Sequence, residues 1–234
     1  MFLDVYEIDT FYDVFQAIFQ VSLNINQGEV VCLLGRNGAG KTTTLSSIIG
    51  LNHPRSGSIK YKDMEISKKK PFQISQLGIG FVPENRWIFS DLTVRENLEL
   101  GQRKAKGKKH AIGLEGIYGL FPKLKELAGQ YGGTLSGGEQ QMLTIGRTLM
   151  GDPELLLLDE PTAGLAPIVS KMLGNQIERL KEERLTILLT EQNALFAMGI
   201  SDRAYVIDKG SIVYKGNAKE LSEDKDTMKE YLGV

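Results

Sequence analysis

Gly35-Arg-Asn-Gly-Ala-Gly-Lys-Thr42 is the stretch whose reading decides the fold. It fits G-x-x-x-x-G-K-[ST], the pattern of a loop whose backbone N–H groups wrap a polyphosphate. A triphosphate carries dense negative charge, and peptide groups reach it only where side chains stay clear. Gly35, Gly38 and Gly40 allow that approach, along with dihedrals that other residues resist. Upstream, Val30–Leu34 is a short, continuously apolar run that suits a buried strand. Downstream, Lys41 to Ile49 reads as a helix stopped by Gly50. The loop therefore opens a helix, whose N-terminal dipole favours an anion. In that setting Lys41 is expected to reach the β- and γ-phosphates of ATP, and the Thr42 hydroxyl to ligate Mg2+. Arg36, Asn37, Ala39 and Thr43 complete the expected nucleotide contact.

A second cluster lies far along the chain. Leu155-Leu-Leu-Leu-Asp159-Glu160 places two acids at the end of a run suited to a strand buried on both faces. Ligands of open α/β sheets bind at the carboxyl ends of the strands, so this pair and the phosphate loop are expected on one sheet edge. Asp159 would hold Mg2+, through water, and Glu160 would deprotonate the attacking water. A solvated acidic strand end is the plainer alternative, and the upstream phosphate loop argues against it.

Further strands are expected at Phe2–Ile8, Val21–Ile25, Ser58–Tyr61, Ile79–Val82 and Thr186–Leu189, with a hairpin of Ala204–Asp208 and Ser211–Tyr214. From about residue 85 to 150 the pattern turns helical, and Thr93-Val-Arg-Glu96 has the capping-box form. The stretch Lys104–Gly113 reads as mobile. The expected fold is α/β: a P-loop NTPase core with an N-terminal antiparallel β subdomain and an inserted helical subdomain. All 234 residues form one nucleotide-binding domain, with 1–84 and 151–234 as core and 85–150 as the helical part.

Composition excludes several classes. A net charge of −1 gives no global field for nucleic acid, and the basic runs Lys68–Lys70 and Arg103–Lys109 read as solvated loops. Cys32 is the only cysteine, so an intrachain disulfide is impossible. The N-terminus lacks the pattern of a secretory signal, and no apolar stretch is long enough for a bilayer. A soluble chain is expected, one that depends on other chains for any path through a membrane.

Leu135-Ser-Gly-Gly-Glu139-Gln-Gln is the most discriminating segment. Ser136-x-x-Glu139 is a capping box for the helix that follows, yet a plain cap does not require Gly137 and Gly138. Two bare residues at a helix start offer a second surface for an anion, and two such surfaces suggest a nucleotide held between two copies. On these segments the chain resembles the ABC transporter ATPases over essentially its full length. Gly35–Thr42 looks like their phosphate loop, Leu135–Gln140 like their signature motif and Leu155–Glu160 like their magnesium and base strand. The resemblance implies head-to-tail pairing, each ATP lying between one subunit's phosphate loop and the other's Ser136, Gly137, Gly138 and Glu139. It also implies that adenine stacks on Tyr12.

Two positions depart from that family pattern. Glu84 stands where the family usually has glutamine, and Gln192 where it usually has a histidine that contacts the γ-phosphate. Glu84 could still approach Mg2+ or the water, whereas Gln192 carries no titratable proton. Pro83–Arg86, Leu135–Gln141, Gly164–Pro167 and Glu191–Asn193 together resemble the branched-chain amino acid importer ATPases. That likeness implies a second ABC ATPase subunit (identical or related), two integral-membrane permeases and, indirectly, an extracytoplasmic solute-binding protein. It also implies cytoplasmic placement on the inner face of the membrane. The end of the chain soon after Tyr214 leaves no room for the regulatory domain of sugar-importer ATPases. Urea or short-amide import, a non-transport ABC ATPase and a small-molecule kinase are the competing readings, and the last leaves Ser136–Glu139 unexplained.

Overall fold

The computed structural model describes residues 1–102 and 112–233, so the basic run Arg103–Lys109 and most of the stretch expected to be mobile lie outside it. Two sheets organise the rest. Strands β1 (Leu3–Tyr12) and β2 (Phe15–Ile25) form a hairpin turned at Asp13 and Val14. The central strand β3 (Val30–Leu34) follows, and then β4 (Ser56–Tyr61) and β5 (Met64–Glu65) complete an antiparallel sheet in the order β2-β1-β4-β5. β3 joins β6 (Ile79–Val82), β7 (Leu155–Asp159), β8 (Thr186–Glu191), β9 (Arg203–Asp208) and β10 (Ser211–Asn217) in the order β10-β9-β3-β8-β7-β6. This second sheet is parallel from β9 to β6, and β10 pairs antiparallel at its edge.

The apolar runs have a direct cause. Cys32 and Leu34 of β3, with Leu156 and Leu158 of β7, face one core; Val31, Leu33, Leu155 and Leu157 face the other. Both faces of these strands are dry, so no polar residue alternates with the apolar ones. Truncating any of the four leucines of β7 to alanine would cost about 2–5 kcal/mol.

Helix α1 (Lys41–Ile48) leaves the end of β3, and Gly50 beyond it adopts φ 76°. Helix α2 (Pro71–Gln76) precedes β6, its opening marked by Pro71 at the first position. Helices α3 (Val94–Gly101), α4 (Gly113–Leu120), α5 (Pro122–Glu126) and α6 (Gly137–Leu149) are all inserted between β6 and β7, which are hydrogen-bonded neighbours. Gly113, expected within the mobile stretch, instead opens α4. Thr93 caps α3, accepting from the Glu96 N–H at 3.2 Å while Glu96 Oε2 accepts from the Thr93 N–H at 2.8 Å. After β7 come α7 (Pro167–Glu182), α8 (Ala194–Ile200), α9 (Ala218–Glu223), α10 (Lys225–Thr227) and a closing π-turn at Met228–Leu232. No helix among the described residues is long and apolar enough to cross a membrane.

The hairpin at the N-terminus is longer than its sequence suggests. Glu7 and Gln20 take positive φ (46° and 48°), and the β1–β2 register shifts between Val5 and Thr10. Each irregularity reverses the phase of the alternation, so strands of ten and eleven residues read as short fragments.

Candidate active site

Four parallel neighbours, β3, β8, β7 and β6, deliver their carboxyl ends to one edge. β3 delivers the loop Gly35–Gly40, β7 delivers Asp159 and Glu160, β8 delivers Glu191 and Gln192, and β6 leads to Glu84. In the loop, Gly38 (φ 76°) and Gly40 (φ 112°) occupy conformations that favour glycine. Gly35 is glycine for a different reason: a Cβ there would strike the carbonyl oxygen of Ile207. A Cβ at Gly38 would meet nothing within 4 Å, so that position lies open.

Lys41 is only 4% exposed. Its Nζ donates to the carbonyls of Gly35 (2.8 Å) and Arg36 (3.0 Å) and pairs with Glu160 Oε1 at 3.0 Å. The Glu160 backbone is left-handed (φ 43°), and its N–H is held by the carbonyl and hydroxyl oxygens of Thr190, both at 3.1 Å. Its second oxygen, Oε2, accepts from Gln192 Nε2 at 3.1 Å, and the same amide donates to Asn37 Oδ1. Gln192 therefore bridges the phosphate loop to Glu160.

Asp159 is 1% exposed, and its Oδ1 accepts from the hydroxyls of Thr42 (3.1 Å) and Thr190 (2.7 Å). Burial pushes its carboxyl above the usual range, and the two hydroxyls pull part of the way back. Glu191, also buried, accepts from the Thr162 N–H at 2.9 Å and the Thr162 hydroxyl at 2.6 Å, which ties the turn after Glu160 to β8. Burial again raises its carboxyl, against those hydrogen bonds.

A cavity of about 520 Å3 opens over this edge, lined by the loop and by Lys41, Thr42, Thr43, Glu84 and Glu160. Tyr12 stands beside it, its hydroxyl 3.5 Å from Thr43 Oγ1, and does not line it; Phe15 and Phe19 do. Those two phenylalanines, with Gln16 and Ala17 of the same strand and Lys209 in the β9–β10 turn, are the lining groups that sequence reading missed. The exposure of Phe15 (71%) was the missing signal, since an exposed aromatic beside a cavity has a ring face to offer.

Ser136 caps α6. Its hydroxyl donates to Glu139 Oε2 at 2.7 Å, and the Ser136 N–H donates to the same oxygen at 2.8 Å. Glu139 is thereby committed to the helix start. The two glycines have a packing reason as well: a Cβ at Gly137 would come within 2.9 Å of Arg86 Nη1, and one at Gly138 within 2.9 Å of Val169. Their presence is thus not explained by anion approach alone. None of Ser136–Glu139 lines the cavity.

The donor set suits a small hard cation. Thr42 and Asp159 offer oxygens in mutual contact, Asp159 buried behind the cavity that Thr42 and Glu84 both line. No group of three or more His, Cys, Asp or Glu forms a cage among the described residues. Mg2+, which binds through one or two carboxylates with water and phosphate, matches that sparse set.

Residues 18–163 match the family described as ABC transporter. The chain belongs to that family. This ABC ATPase is 43% identical to the high-affinity branched-chain amino acid transport ATP-binding protein BraG of Pseudomonas aeruginosa, over 97% of each chain. It is 35% identical to the probable branched-chain amino acid transport ATP-binding protein LivF of Archaeoglobus fulgidus, over 95% of each. It is also 32% identical to the lipopolysaccharide export system ATP-binding protein LptB of Escherichia coli, over 93% of this chain and 91% of that one. Among solved structures, an ABC transporter cassette in its ADP conformation superposes with a TM-score of 0.82 at 27% identity, covering 97% of both chains. A nucleotide-free cassette gives 0.81 at 27% identity, covering 96% of both. The α/β cassette fold, with its antiparallel sheet and P-loop core, is shared across 96–97% of the chain.

Proposed function

We propose that this ABC ATPase drives import of branched-chain amino acids, hydrolysing ATP between two paired subunits attached to separate permeases. The supporting observation is the division of the site. Asn37, Gly38, Gly40, Lys41, Thr42 and Glu160 line one cavity, with Asp159 behind it in contact with Thr42, whereas Ser136–Glu139 open another helix that does not line it. A nucleotide held at the cavity thus leaves the signature helix free to complete the site of a second subunit, identical or related.

In this reading the loop N–H groups, Lys41, Thr42 and Thr43 bind the phosphates, and the aromatic edge of Tyr12 and Phe15 receives the adenine. Thr42, Asp159 and Glu84 are the residues that would hold Mg2+. Bound there, the ion would offset charge developing on the phosphates. Glu160 accepts the proton of the attacking water at a carboxylate oxygen. Gln192 keeps that carboxylate aligned with the loop through Asn37. Closure of the pair brings Ser136, Gly137 and Gly138 onto the partner's nucleotide, and the helical residues 85–150 move with respect to the core.

A groove of about 430 Å3, lined by Phe72, Phe81, Leu100 and Arg147, would seat a permease helix next to the Glu84 segment. The chain then works at the cytoplasmic face of the membrane, and the extracytoplasmic solute-binding protein never touches it. The solute class rests on the relatives BraG and LivF. Uptake of labelled leucine, isoleucine and valine by cells lacking this chain tests it: uptake should fall and return on complementation. Unchanged amino acid uptake with lost urea uptake would transfer the motor to short amides.

A further inference from the structure

Arg86 lies two residues after Glu84 in the segment Pro83–Arg86, and the hydrolytic roles above leave its side chain unused. Its backbone is left-handed (φ 63°), as is that of Trp87 (φ 38°), so two successive non-glycine residues hold an unfavourable conformation. Something must fix them. The Arg86 carbonyl accepts from the Thr144 hydroxyl of α6 at 2.6 Å, and the Trp87 carbonyl accepts from Arg147 Nη2, one turn further along that helix. The segment after β6 is thereby fastened along the flank of α6.

The guanidinium reaches two other places. Nη2 donates to the carbonyl of Ala163 at 3.2 Å. Ala163 closes the turn that begins at the base, its N–H donating to the Glu160 carbonyl at 3.0 Å. Nη1 lies 2.9 Å from where a Cβ of Gly137 would stand, so the guanidinium fills the space beside the bare start of α6. Nε is buried with no hydrogen-bond partner among the described residues. A methionine would fill similar volume without a buried orphan donor, so stability alone does not account for an arginine here.

We infer that Arg86 is a positioning residue that holds the Ser136–Gly138 helix start in fixed relation to the Glu160 turn. One side chain thus couples the surface offered to the partner's nucleotide with the base of its own site. This inference rests on the two-site reading above. Arg86 touches the turn and the helix, and acts through them.

The test uses the full chain assembled with its partner subunits, with MgATP hydrolysis measured alongside nucleotide binding and thermal unfolding. Arg86→Ala should lower kcat about tenfold, the worth of one charge-assisted hydrogen bond, with KM and nucleotide affinity changed less than about twofold. Gly137→Ala should also lower kcat, because its methyl group displaces the guanidinium. The double variant should be no slower than the slower single one, since the space vacated at position 86 receives the methyl group. Additive losses would overturn the inference, as would an Arg86→Ala kcat equal to wild type. If Arg86→Ala does not fold, Arg86→Lys keeps a donor near Ala163 but loses the planar fork, and should show a smaller drop in kcat at wild-type thermal stability; an unchanged kcat there overturns the inference too. Ser136→Ala is run in parallel. Wild-type hydrolysis by that variant sinks the two-site reading itself, whereas slow Ser136→Ala with normal Arg86→Ala sinks only the role of Arg86.

Discussion

Replacing Glu160 with glutamine separates binding from chemistry, and the network around it sets what the change should do. Glu160 Oε1 faces Lys41 and Oε2 faces the Gln192 amide, so both neighbours are donors. A glutamine can satisfy only one of them with its carbonyl. With that carbonyl kept toward Lys41, its NH2 meets the NH2 of Gln192. Gln192 must then turn its own carbonyl inward, and Asn37 Oδ1 loses its donor. The exposed Asn37–Gln192 bond is worth about 1 kcal/mol. Lys41 keeps its bonds to the Gly35 and Arg36 carbonyls, so the loop should hold its shape. The larger loss is in the rate. A general base contributes roughly 10²- to 10⁴-fold, which is about 2.7–5.4 kcal/mol of barrier. Phosphate release under saturating MgATP, nucleotide affinity by fluorescence titration and assembly size by gel filtration together read the result. The expected outcome is a hundredfold or greater fall in kcat, near-normal affinity and a long-lived nucleotide-bridged pair. Turnover within tenfold of wild type would refute the assignment of the base. A parallel loss of affinity would make this carboxylate a binding group instead.

Three further outcomes are expected. Ser136→Ala and Thr93→Ala each remove the cap of a matching capping box and should each cost about 1 kcal/mol of stability; only Ser136→Ala should also slow hydrolysis, and equal effects on rate would reduce Ser136 to a cap. Because burial raises the Glu191 carboxyl, the native chain retains that proton at pH values where the unfolded chain has released it. Wild-type stability relative to Glu191→Gln should therefore be greatest below the ordinary glutamate value and decline as pH rises through the native one; denaturant midpoints across that window should follow this trend, and the opposite slope would mean the hydrogen bonds from Thr162 outweigh desolvation. Gly35→Ala should unfold at lower denaturant than Gly38→Ala, since the first methyl strikes the Ile207 carbonyl and the second bears only a left-handed penalty of roughly 1–2 kcal/mol.

What could be read from the sequence followed range. Val30–Leu34, the loop and α1 are consecutive, so local pattern and chemistry agree there. Leu155–Glu160 was legible because a strand with two dry faces admits only apolar residues. The β1–β2 hairpin was obscured by residues at positive φ, which erase the alternation on which strand reading depends. Phe15 and Lys209 reach the cavity from opposite ends of the chain, and no spacing rule connects them. Gly137 and Gly138 were legible as unusual, but their neighbours Arg86 and Val169 emerge only from packing. The same holds for Gln192, whose bridge from Asn37 to Glu160 spans three separate loops.

The placement of α3–α6 has a mechanical consequence. The chain departs at the end of β6 and re-enters at the start of β7; the two strands are parallel neighbours, with Val82 beside Leu158 and Ile79 beside Leu155, so those two points lie at opposite ends of the pair. The insert is thus tethered at both edges of the sheet, once beside the site and once at the opposite edge, and any tilt of it acts on both tethers together. The 13 residues of α6 make a lever about 20 Å long, so a tilt of about three degrees displaces one end by about an ångström relative to the other. Glu84 sits two residues past the tether beside the site and lines the cavity, so a displacement of that tether reaches the reaction edge directly.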